Sequence, residues 1–127
     1  MKLLYLSFLL LMSMNANAQL VFKNSNPNAN NISKFMVSQT KTEIFAIVNN
    51  KEILFGSWDK VPTNSSSEEG QNQYKIIVTK EDKVAKRIYE IQYSLYRKTN
   101  KHVGYIRSTF VYFDKRPTKI IEDYFTI

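Results

Sequence analysis

Lysine and arginine carry the most clustered chemistry in this chain. Lys80, Lys83, Lys86 and Arg87 crowd one polar segment, and Lys115, Arg116 and Lys119 crowd another. Cations at that density attract carboxylates, phosphates and sulfates. The two segments therefore form a candidate binding end for an acidic protein, an anionic glycan or lipid head groups. Glu81, Asp82 and Asp114 lie among them and weaken the field. Lys51 joins the same end if the strand order is simple. Ordinary solvated turns, which keep strand edges apart in solution, have the same composition.

The remaining chemistry is sparse. His102 is the sole histidine and cysteine is absent, which excludes thiol nucleophiles, Cys-ligated zinc and iron–sulfur clusters. With three glycines there is little material for a phosphate-cradling loop. Nucleophile-elbow, zinc-protease and calcium-loop spacings do not occur. Glu90, Glu122 and Asp123 approach one another across strands, but Arg107 sits among them. That pattern is a charge ladder, not an acid/base pair. No catalytic residue, metal ligand or cofactor is expected. Aromatics interleaved with cations can stack nucleic-acid bases. Here Tyr89, Tyr93 and Phe110 fall on the face assigned to the core, so no nucleic-acid partner is expected; Tyr96, Tyr105, Tyr112 and Tyr124 are less committed.

The elements that must position these residues read as mainly antiparallel β, six to seven strands forming a small barrel, roll or sandwich. Gln19 to Lys23 fits a short strand, and the Asn-rich segment from Asn24 to Asn31 a loop. Ile32, Phe35 and Met36 sit at i, i+3 and i+4, the spacing of one or two helical turns, with a strand as the competing reading. Thr42 to Val48 and Lys51 to Trp58 form a hairpin about Asn49-Asn50, both of which tolerate a left-handed backbone. Pro62 to Asn72 is a long polar loop. Tyr74 to Thr79, Val84 to Arg97, Val103 to Phe113 and Lys119 to Thr126 complete the strands. The long Val84–Arg97 strand is expected to need strong twist or a bulge.

Alternation sets the register. With Thr99-Asn100 as the central turn residues, Leu95 lies opposite Gly104, Tyr93 opposite Ile106 and Tyr89 opposite Phe110, sharing one apolar face. With Phe113 facing Thr118, Ile121 lies opposite Phe110 and Asp123 opposite Ser108, placing a carboxylate on that face. Gly56-Ser57-Trp58 resembles the Gly-x-Trp near the first strand of lipocalin-like barrels, over three residues. A hairpin's worth of strand precedes it and too few strands follow for an eight-stranded barrel. Trp58 is expected to plug one end of the core, its N–H meeting a nearby carbonyl.

Met1-Lys2, the apolar run Leu3 to Met12 and the Ala16-Asn17-Ala18 end have the form of a secretory signal peptide cut before Gln19. The run is too short to span a bilayer. Residues 19–127 then form one domain, and loss of Lys2 lowers the +7 charge by one. These readings point to an exported, secreted or periplasmic, non-catalytic binding module that meets another exported protein or an anionic surface. The alternative is a small β-barrel carrier with an apolar cavity lined by Tyr89, Ile91, Tyr93, Phe110 and Trp58.

Overall fold

The computed structural model describes residues 19–28, 32–66, 70–96, 98–99 and 101–127. The leader expected over residues 1–18 lies outside them. Nine strands form: Leu20–Asn24 (β1), Ile32–Val37 (β2), Thr42–Val48 (β3), Lys51–Trp58 (β4), Thr63–Ser66 (β5), Gln71–Glu81 (β6), Ala85–Tyr96 (β7), Lys101–Tyr112 (β8) and Lys119–Thr126 (β9). No helix occurs among the described residues, so none there is long and apolar enough to cross a membrane. The expected antiparallel β class is present, with more strands than the six to seven expected. The two additions are the segment read as helical turns (β2) and part of the segment read as a polar loop (β5).

The physical reason at β2 is a bulge. Ile32 pairs with Ala46 and Lys34 with Phe45, so two residues of β2 face one of β3. The extra residue lets Ile32 and Phe35, three apart, both turn inward and become fully buried. That odd spacing imitates a helix. At β5 no large apolar residue marks a strand, yet Thr63 pairs with Lys75 and Asn64 with Tyr74. A short polar strand is a common way to finish a sheet edge.

The strands form one sheet in the order β4-β3-β2-β1-β9-β8-β7-β6-β5. Two meanders, β1–β4 and β5–β9, thus meet side by side at β1 and β9. The sheet curls into a half-barrel, which brings its edges together. Trp58 of β4 donates its indole N–H to the Thr79 carbonyl of β6 at 3.2 Å. The expected carbonyl partner for Trp58 is therefore found across the mouth of the curl.

Aromatic rings fill the concave side. Phe22 stacks on Phe35 at 4.6 Å, Phe35 meets Phe125 edge-on at 5.1 Å, and Tyr93 stacks on Tyr74 at 4.8 Å. Burying each such ring contributes about 1.5–3 kcal/mol. Gly104 makes room for them, since a Cβ there would stand 2.8 Å from the Phe35 ring. Gly56 does the same beneath Trp58, whose ring a Cβ would meet at 2.3 Å.

The face assignments of the last strands hold while the partners move by two residues. Tyr93 faces Gly104, Tyr89 faces Ser108, Ile121 faces Ser108 and Asp123 faces Ile106. The β7–β8 connection spans residues 97–100, longer than the two-residue turn expected, and the β8–β9 connection spans 113–118. A two-residue shift preserves the side-chain period, so the apolar face is unchanged. Of the strong twist or bulge expected in the long strand, the bulge does not occur. The ladders on both sides of β7 run without a register break, and the irregularities fall in β2, β4 and β5.

Candidate functional site

The β6–β7 and β8–β9 hairpins lie at one end of the sheet and touch. Phe113 N–H donates to the Val84 carbonyl at 3.1 Å, extending the β7–β8 ladder to the hairpin tips. Each tip is closed by an aspartate. Asp82 Oδ1 accepts the Val84 and Ala85 amides at 2.8 and 3.0 Å, and its other oxygen pairs with Arg87. Those two amides, then Arg87, hold the Asp82 carboxyl below its ordinary range. Asp114 accepts the Arg116 amide at 2.8 Å and its Nε at 2.9–3.0 Å, which lowers the Asp114 carboxyl and raises the Arg116 guanidinium. Arg116 also stacks 4.1 Å from the Tyr112 ring centroid.

These contacts divide the seven basic residues singled out from the sequence. Lys80 and Arg87 face inward with Val78 and Tyr89, because Lys80 pairs with Arg87 in the same cross-strand row. Lys80 Nζ donates to the Phe55 carbonyl and lies 4.0 Å over the Phe55 ring, and Arg87 lies 5.5 Å from that ring. Arg116 is held by Asp114. Lys83, Lys86, Lys115 and Lys119 stay exposed. The ion pairs among the described residues use Lys34, Lys41, Lys75, Arg87 and Arg116 and none of these four. With both tip aspartates engaged, four lysine charges stand against Glu81. Lys51 does not join them. It pairs with Val48 at the end of β4 remote from the Phe55–Trp58 segment that meets β6.

Sequence reasoning missed the apolar side chains at the same place. Val84, Val111, Phe113 and Ile120 are 48%, 38%, 55% and 50% exposed. The available signal was Val111 and Phe113 alternating with inward Phe110 and Tyr112, which makes both faces of β8 apolar at its end.

Elsewhere the charge ladder is present in part: Glu90 faces Arg107 and Arg107 faces Glu122 on the outer face, while Asp123, grouped with them from the sequence, lies on the opposite face. Lys75 binds Glu90 at 2.7 Å. Asp123 occupies the apolar face, as the alternation requires, and its Oδ2 is buried without a hydrogen-bond partner. His102 is half-buried opposite Leu95 and lines an open pocket of about 410 Å³ with Lys101, Thr126 and Ile127. No group of three or more His, Cys, Asp or Glu able to hold a metal ion occurs among the described residues. The side chains that would line a carrier cavity pack on one another. Trp58 lies 6.2 Å from Tyr89, Tyr93 lies 5.2 Å from Phe22, and Tyr89 and Ile91 are fully buried. Tyr105 and Tyr124 pair at 5.3 Å on the outer face. Compared with known protein families, with curated proteins and with solved structures, the chain matches none.

Proposed function

We propose that this chain is an exported, non-catalytic binding module that recognises an anionic partner through its β6–β7 and β8–β9 hairpin end. The observation that carries the reading is the local charge balance. Asp82 and Asp114 are consumed in turn bonds and by Arg87 and Arg116, which leaves Lys83, Lys86, Lys115 and Lys119 directed at solvent. A cluster with an excess of one sign, here four lysines against Glu81 opposite Lys86, raises the local concentration of oppositely charged partners and speeds their capture. Export rests on the leader-like residues 1–18. The packing of Trp58 on Tyr89 and of Tyr93 on Phe22 supports a surface-binding module over a carrier, which needs an enclosed cavity.

The test uses the chain from Gln19 onward on an immobilised sulfated glycan at physiological salt. Retention is expected, and it should fall steeply as salt rises, because exposed charges are screened. The variant K83E/K86E/K115E/K119E, altered only at exposed positions, should elute with the unbound fraction. Equal retention of variant and parent overturns the reading.

A further inference from the structure

We infer that the hairpin end docks on an anionic lipid bilayer, with Phe113 and Val84 entering the headgroup layer and the four lysines contacting its phosphates. This rests on the proposed anionic-partner end and names the partner. Three observations carry it.

The first is the shape of the apolar patch. Val84 and Phe113 are neighbours at the tips, Lys86 faces Val111 in the next row, and Thr109 sits between Ile88 and Ile120 in the row after that. All project from the outer side of the sheet, away from the buried Ala85 and Tyr89. The patch is thus continuous, and its most exposed member, Phe113 at 55%, stands at the extremity.

The second is the charge at the same level. Lys83 and Lys115 occupy the two turns that carry Val84 and Phe113. Lys86 shares their outer face opposite Val111, and the exposed Lys119 stands at the start of β9 on the concave side, opposite Phe110. Stable attachment to a bilayer surface takes two signals, apolar insertion and a basic patch, and both are present on the same two hairpins.

The third is how little directional polarity remains. The tip carboxylates and Arg116 are spent on one another and on the turn backbone. Lysine is a compact point charge that fits a fluid array of phosphates, whereas paired protein surfaces draw on arginine forks and matched hydrogen bonds.

The experiment is flotation of the chain from Gln19 onward with vesicles of phosphatidylcholine, alone or with about one-third phosphatidylglycerol. Flotation with the anionic vesicles is expected, about tenfold or more above the neutral ones, and lost at high salt. V84S/F113S should lower vesicle binding about tenfold while leaving retention on the sulfated glycan unchanged. K83E/K86E/K115E/K119E should abolish both. Glycan retention without flotation overturns the lipid assignment and returns the end to an acidic protein or glycan. Flotation that V84S/F113S does not weaken also overturns the inserted geometry. Loss of both activities in the parent chain overturns the proposed function itself.

Discussion

Tyr89 carries a phenol into the centre of the half-barrel, where its ring meets Trp58 and Phe55 and its hydroxyl is buried without a hydrogen-bond partner. Burial pushes this phenol, and that of Tyr93, from 10.0 to about 12. Ionisation is then easier in the unfolded chain than in the folded one. The stability linked to these groups is complete below pH 10 and is lost as pH rises toward 12. Thermal melts should therefore hold steady through neutral pH and fall across that alkaline window, with tyrosinate absorbance rising as the chain unfolds. Tyr89→Phe removes an unsatisfied hydroxyl, so its stability at neutral pH should stay within about 1 kcal/mol of the parent, and its alkaline loss should be smaller. An alkaline loss of the same size in the variant would show that Tyr89 is not the group responsible. At this scale the sequence was readable wherever alternation decided. Tyr89 and Tyr93 are inside, as their period of two requires. The same parity places Lys80 and Arg87 inward too, but their capture by Phe55 depends on β4 crossing over β6, which no local pattern carries.

The elements show where local rules suffice. Asn49 and Asn50 adopt φ of 53° and 63°, and Val48 pairs with Lys51 across them. This is the tight hairpin turn that two asparagines predict. Both strands of that hairpin, and β9, have the bounds expected from the sequence. Asn50→Ala should cost about 1 kcal/mol, because a Cβ without a compensating amide strains the left-handed backbone. Asn50→Gly should keep or slightly raise the urea midpoint. An alanine variant as stable as the parent would mean that the turn does not hold the hairpin. Elements were misread where a bulge breaks the period. Ile32 and Phe35 face inward together because β2 carries an extra residue against β3, and helical spacing is what remains visible in one dimension. The hairpin registers were misplaced by two for a related reason. Alternation fixes which face a residue takes, but loop length fixes its partner. The basic end was legible as a cluster of lysines and arginines. Its reduction to four free lysines was not, since that required the turn bonds of Asp82 and Asp114.

At the scale of the molecule, the two meanders differ in how they are joined. Within β6–β9 the ladders are long, with every residue of β7 from Ala85 to Tyr96 paired to β8. Between β1 and β9 only Lys23↔Thr126 and Asn24↔Phe125 are paired, continued by the Ser25 amide on the Tyr124 carbonyl at 2.8 Å. The two strands are staggered, so that Leu20 to Phe22 run on beyond Thr126 and Lys119 to Asp123 run on beyond Asn24. Yet the interior crosses this seam, because Phe22 and Phe35 from one meander pack on Tyr93 and Phe125 from the other. Hydrophobic burial therefore couples halves that the backbone barely connects. Global unfolding should be a single cooperative transition, because neither meander keeps its apolar face covered without the other. Local opening should follow the backbone. In native-state hydrogen exchange, the amides of β7 and β8 around Ile91 and Ile106 should exchange last, at the global rate. Among Lys23, Asn24, Phe125 and Thr126, the amides directed across the seam should exchange orders of magnitude faster through its opening. Equal protection of these amides and those of β7 would mean that the aromatic interior, and not the ladder, sets the stability of the seam.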